Sequence, residues 1–234
     1  MTISLIHKAM EPIVSRDKVK ELVRVNPQVS KFSERLIHIL LDSSAIYAGH
    51  FELLGGQHSS RFLRFSKIAG RPAYVEEIAK ELLRLIKEKG LLPEAIVSRD
   101  RSGHLLAWEI GRQAGIKEII VGRTALDRRP IELVNGVDVH RGSKVLIIDD
   151  LITSGAGVLK LKELVEARGA TVIGVAVFAV RENPAVSSLP LDPLRLAELL
   201  VGQYTFGLPH RALDPDECKL CQEGVPVVRS RDLA

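Results

Sequence analysis

The apolar positions of this chain fall into runs whose period switches between that of a helix and that of a buried strand. Between Pro72 and Lys89, the residues Ile78, Leu82, Leu85 and Ile86 recur on one stripe, which predicts an amphipathic helix. Pro72 at its start and Gly90 after its end are residues that begin and stop a helix. Ala95-Ile96-Val97 then reads as a short buried strand, Leu105 to Gln113 as a helix closed by Gly115, and Glu118–Val121 as another strand. Lys144-Val145-Leu146-Ile147-Ile148 carries the strongest strand signal, an unbroken apolar run of the kind a parallel strand covered on both faces requires. A helix from about Gly157 to Arg168, ended by Gly169, and a β-branched strand from Thr171 to Val180 complete the series. Strands alternating with helices imply right-handed crossovers, so the fold class expected is α/β, an open, doubly wound parallel sheet.

Upstream, Leu36, Ile37, Ile39, Leu40 and Leu41 predict a helix from Ser33 to Ala45, with Ser33 as its N-cap. Residues 1–32 hold Pro12, Pro27 and one short helical stretch around Asp17–Val25, and read as an appendage. With 234 residues, 46% of them apolar, the chain can bury one full core and a modest extension. The net charge of +4 is spread rather than clustered, as in Glu81, Arg84, Lys87, Glu88 and Lys89. That interleaving argues against a nucleic-acid stripe and for a solvated helix face. A mild positive balance also suits polyanionic ligands. No apolar run reaches the length of a membrane span, and MTISLIHKAMEPIV lacks an extended secretory h-region, so a cytoplasmic location is expected.

The chemistry concentrates after Ile148, at the strand end where doubly wound sheets bind ligands. Asp149-Asp150-Leu151-Ile152-Thr153-Ser154-Gly155-Ala156-Gly157 leads straight into a helix. Unpaired N–H groups and the positive dipole end at that helix start, two hydroxyls and three small residues make a cradle for a monophosphate. No Gly-Lys-Ser/Thr and no Gly-x-Gly-x-x-Gly occurs, so this is neither a Walker loop nor a dinucleotide fingerprint. Adjacent carboxylates repel each other, which makes Asp149 and Asp150 costly as mere structure. As acceptors for a vicinal diol one sugar's length from the phosphate, they spell ribose 5-phosphate.

Val145 to Gly157, VLIIDDLITSGAG, resembles the signature of the type I phosphoribosyltransferase family, which binds 5-phosphoribosyl 1-pyrophosphate (PRPP). The resemblance implies that Asp149 and Asp150 hold the ribose hydroxyls and that Thr153, Ser154, Gly155, Ala156 and Gly157 hold the 5′-phosphate. Gly49 to Phe62, GHFELLGGQHSSRF, is similar to the N-terminal hood of the orotate branch, and Arg181 matches its orotate-binding arginine. The resemblance therefore implies transfer of the phosphoribosyl group from PRPP to orotate, with Mg²⁺ carried by PRPP and a homodimer. It also divides the chain into an extension over 1–32, a transferase domain over 33–208 with its hood at about 33–70, and a tail over 209–234. Ser98 to His104, SRDRSGH, stands where the family has its pyrophosphate turn, with Arg99, Ser102 and Gly103 as expected contacts. Arg99 and Arg101 are expected to bind diphosphate directly, the alternative being that Asp100 pairs with either arginine and keeps the loop closed. His104 reads as a satisfied histidine at a helix start.

The likeness has gaps. Leu54 replaces a common lysine, Val180 replaces a usual aspartate, and residues 122–143 contain no lysine where the family's mobile catalytic loop should lie. Arg123, Arg128 and Arg129 are the cations of its first part, residues 122–130, and arginine can clamp a leaving pyrophosphate bidentately but cannot readily give up a proton. Arg123 and Arg128 are accordingly candidate catalytic cations, and surface charge is the alternative for the Arg128–Arg129 pair. Other functions in view are a non-catalytic PRPP or nucleotide sensor and a transferase for another base. The two cysteines, Cys218 and Cys221, form one Cys-x-x-Cys, similar to the tail of a subset of the orotate branch. Zinc would need two more ligands, with His210 the nearest candidate, and a structural turn or incomplete knuckle is expected over a redox pair.

Overall fold

The run Val145-Leu146-Ile147-Ile148 has no exposed surface at any of its four side chains, as a strand covered on both faces must. The computed structural model describes residues 10–53, 56, 58–99, 102–123, 132–133, 138–181, 184–200 and 217–229. They form two compact units, one of residues 25–32 and 69–198, the other of residues 1–24, 33–68 and 199–234.

The larger unit carries strands β5 (Ala95–Arg99), β6 (Glu118–Arg123), β7 (Glu132–Leu133), β8 (Lys144–Ile152), β9 (Thr171–Arg181) and β10 (Leu194–Leu199). The order in the sheet is β2-β10-β9-β8-β5-β6-β7, with β2 (Val23–Val25) at one edge. Strands β9, β8, β5 and β6 are mutually parallel, and β7 returns antiparallel to β6 at the other edge. The expected α/β doubly wound sheet is thus present, with an antiparallel edge the sequence pattern did not predict. Helix α4 (Pro72–Glu88) buries Ile78, Leu82, Leu85 and Ile86, the predicted stripe, and packs on α5 (Ser102–Ala114). Val97, Val145, Ile147 and Val175 instead join Val158, Leu161 and Val165 of α6 (Ala156–Glu166) in the principal core. Leu146 lies on the opposite face, close to where a Cβ on Gly174 would fall and beside Leu91. Each such buried aliphatic side chain contributes about 1.5–3 kcal/mol.

Two of the strand boundaries that differ from the sequence expectation lie at the site. Strand β8 does not stop at Ile148, because Asp149, Leu151 and Ile152 pair with Val177, Ala179 and Val180 of β9. Strand β5 likewise runs through Ser98 and Arg99, which pair with β6.

In the smaller unit, α1 (Arg16–Leu22) packs on α2 (Ser33–Asp42). Strand β3 (Ile46–Glu52) pairs antiparallel with β4 (His58–Leu63), with an irregularity between Ala48 and Phe51. Strand β1 (Met10–Pro12) pairs with residues 47–49 of β3, and β11 (Val228–Arg229) pairs with residues 51–52. The described residues within 1–24, 33–68 and 199–234 group into one unit, in which β3 pairs with a strand from near each end of the chain. None of the described helices is long and apolar enough to cross a membrane.

Candidate active site

Three chain segments meet at the carboxyl ends of β5 and β8 and the start of α6. Asp149 and Asp150 lie inside β8, so the sheet fixes their backbone before any ligand arrives. Asp149 is buried, at 3% exposure, whereas Asp150 is half-buried. The Nε of Arg99 donates to Asp149 Oδ2 at 2.8 Å, and Ser102 Oγ donates to Asp150 Oδ2 at 2.5 Å. The amide of Asp150 donates to Asp149 Oδ1 at 3.0 Å, and that of Leu151 to Asp150 Oδ1 at 2.8 Å. Every carboxylate oxygen thus holds one of these donors and has acceptor capacity for a second. Burial raises the Asp149 carboxyl well above its ordinary range, Arg99 opposes the rise, and the neighbouring Asp150 charge adds to it.

Glycine makes this closeness possible. A Cβ on Gly103, in the first turn of α5, would stand 2.6 Å from Asp149 Oδ1 and 3.2 Å from the Asp150 amide. A Cβ on Gly157 would stand 2.8 Å from Arg99 Nη1. The guanidinium of Arg99 therefore lies across the first turn of α6, anchored at its other side by Asp149.

The helix after β8 begins at Ala156, one residue before the expected start at about Gly157. Thr153, Ser154 and Gly155 form the turn, Gly155 takes φ 81° as the N-cap of α6, and Ala156 and Gly157 already belong to the helix. Their amides are among the first-turn N–H groups that lack intrahelical partners and that favour an anion. Thr153 is half-buried and Ser154 exposed. Arg181 ends β9 in a buried position, at 3% exposure, and Val180 pairs with Ile152. That register sets Arg181 level with the start of the cradle. On β5, Ser98 Oγ lies 3.0 Å from His104 Nδ1, and burial pushes that imidazole below its usual value. His104 is satisfied at the helix start, as expected.

The structure therefore brings together Arg99, Ser102, Gly103, Asp149, Asp150 and the residues from Thr153 to Gly157. The sequence had foreseen Arg99 as a direct pyrophosphate contact. Its ion pair with Asp149 was not foreseen, since nothing local links positions 50 apart. Arg123 closes β6 and is exposed. Leu54, Asp100, Arg101, Arg128 and Arg129 lie outside the described residues.

Known proteins resemble this chain over most of its length. Residues 71–190 match the family described as Phosphoribosyl transferase domain. The chain is 29% identical over 196 residues to an orotate phosphoribosyltransferase of Desulforamulus reducens, covering 84% of this chain and 95% of that protein. It is 31% identical to an orotate phosphoribosyltransferase of Chlorobaculum parvum, covering 79% of this chain and 88% of that one. The crystal structure of orotate phosphoribosyltransferase from Aeropyrum pernix superposes with a TM-score of 0.57 at 20% identity, over 69% of this chain and 90% of its own.

Proposed function

The chain belongs to the phosphoribosyltransferase family, enzymes of the pentosyltransferase class, and from that premise we propose that it transfers the phosphoribosyl group of PRPP to orotate. The carrying observation is the pair Asp149–Asp150, fixed in β8 one turn ahead of the helix-start cradle. A 5′-phosphate on the amides from Gly155 to Gly157 places the ribose diol beside the half-buried Asp150. The names of the curated relatives support orotate as acceptor, and so does Arg181, whose fixed guanidinium fork suits a carboxylate beside a carbonyl.

In the reaction, a ring nitrogen of the base forms a bond to C1 as the C1–oxygen bond to pyrophosphate breaks, and pyrophosphate departs with the electron pair. Positive charge gathers on the sugar in between, as in glycoside chemistry. Arg99, oriented by Asp149, reaches toward the departing diphosphate without having to reorganise. Arg123 and Arg128 are the further cations of the following strand and loop. Asp150 holds the sugar, so that the nitrogen meets C1 in a fixed line. Mg²⁺ would be carried in by the diphosphate, and there it would supply charge neutralisation for the leaving group. A homodimer, the expected assembly, would let the 122–143 loop of one copy complete the other's site.

A second reading has one specific observation behind it. With no lysine between residues 122 and 143, the chain could retain PRPP binding and have lost turnover, as a sensor. Incubation with PRPP, Mg²⁺ and orotate, followed by orotate absorbance and pyrophosphate release, separates the two. Matched loss of orotate and appearance of pyrophosphate, abolished in Asp150→Asn, is the expected result. Saturable PRPP binding without turnover on any base overturns the enzyme assignment. Turnover with a purine or uracil alone overturns orotate as the acceptor.

A further inference from the structure

Outside that site, the smaller unit holds four metal-ligating side chains aimed at one point. The ligand atoms of His50, His58, Cys218 and Cys221 all lie within 4.8 Å of one another. His50 Nε2 is 2.9 Å from His58 Nδ1, 3.4 Å from Cys218 Sγ and 3.7 Å from Cys221 Sγ, and Cys221 Sγ is 3.1 Å from His58 Nδ1. Ligand atoms on a tetrahedral zinc ion, with bonds of about 2.0 Å to nitrogen and about 2.3 Å to sulfur, stand about 3.3–3.8 Å apart. We propose that His50, His58, Cys218 and Cys221 form a structural zinc site that fastens the C-terminal segment to the β3–β4 hairpin.

Four features favour this over a chance polar cluster. The irregularity in β3 between Ala48 and Phe51 falls at His50, and such bulges re-aim a side chain. His50 Nδ1 lies 2.8 Å from the carbonyl oxygen of Val225, so Nδ1 carries the proton and donates it. That fixes the tautomer with the Nε2 lone pair facing the other three ligands, the arrangement that orients metal-bound histidines. Charge balances as well. Two thiols that release their protons to solvent cancel the charge of a divalent ion, which permits burial where His50 and Cys218 are 0% and 2% exposed. Finally, the mixed nitrogen and sulfur set suits zinc, whereas Mg²⁺ and Ca²⁺ prefer oxygen and iron–sulfur clusters usually take four thiolates.

The site explains how the tail is placed. Cys221 lies in the short helix α8 (Lys219–Gln222), and Gly224, at φ 70°, turns the chain back toward β11. There Val228 packs with Met10, Tyr47 and Phe51. His210, the candidate nearest in sequence, lies outside the described residues. The two histidines instead come from the opposite end of the chain.

The proposal is independent of the catalytic reading, and its test needs no turnover. Protein made without a histidine tag and purified without chelators is analysed for metals by mass spectrometry. Zinc near one equivalent per chain is expected, falling to background in Cys218→Ser and in His50→Ala. Should those variants fail to fold, cobalt exchanged into the unaltered chain decides. Intense visible bands of tetrahedral cobalt with thiolate-to-metal charge transfer are expected. A wild-type chain that remains metal-free after zinc loading and desalting overturns the proposal. So do stoichiometric iron, weak octahedral cobalt bands, or recovery of Cys218 and Cys221 as a disulfide.

Discussion

Asp149 and Asp150 are chemically identical side chains that the structure places in different surroundings. Asp149, buried against Arg99, holds that arginine, and Asp150, half-buried, accepts from Ser102 and is the proposed ribose contact. Asp150→Asn replaces a charged acceptor by a neutral one. PRPP affinity should fall about tenfold to a hundredfold, read by calorimetry, the range for a hydrogen bond to a charged group. For Asp149 the consequence lies in pH. Its carboxyl is raised from 3.8 to about 7, so between those values the folded chain binds a proton that the unfolded chain has lost. Stability from this group is present at low pH and declines as pH rises through that window, by at most about 1.4 kcal/mol per pH unit. Melting temperatures measured across this range should fall less steeply in Asp149→Asn than in the wild type. Equal slopes would show that Arg99 keeps Asp149 ionised throughout.

At the level of elements, the unit that matters is β8, its turn and α6, pressed against the start of α5. A methyl group at Gly103 would meet Asp149 Oδ1 at 2.6 Å, on a carboxylate held by Arg99 and the Asp150 amide, and the Asp150 backbone at 3.2 Å. Gly103→Ala should therefore raise the KM for PRPP and cost about 1–3 kcal/mol in urea unfolding, the range for overpacking. This helix and its neighbours were legible in the sequence, since α4 follows the stripe Ile78, Leu82, Leu85 and Ile86, and the apolar run 145–148 marks β8. The continuation of β8 through Asp149 and Asp150 was not. Carboxylates are poor strand formers, and their pairing with β9 is a tertiary effect that no local pattern carries. For the same reason the sequence offered Asp149, Asp150 and Arg99 as candidates but could not show the ion pair between Arg99 and Asp149.

On the scale of the whole molecule, the smaller unit draws on both ends of the chain. Strand β3 receives β1 from one terminus and β11 from the other, and Val228 fills the core beside Phe51. Removing residues 217–234 should uncover that edge. Cleavage within residues 33–68 under limited proteolysis should then be faster than in the intact chain, and an unchanged pattern would mean the tail is dispensable. Sequence spacing treated these segments as separate pieces because pairing between distant positions leaves no periodic trace. The proposed phosphate site suffers no such loss, since its turn and carboxylates lie within nine consecutive residues, 149–157. That local motif is what the functional assignment stands on. Calorimetric titration of Mg²⁺–PRPP into the wild type and into the Asp149→Asn, Asp150→Asn double variant tests it most directly. Saturable binding at one site per chain, lost in the double variant while its melting transition stays cooperative, is the predicted result. Equal affinity in the two proteins, or no binding to the wild type, would contradict it.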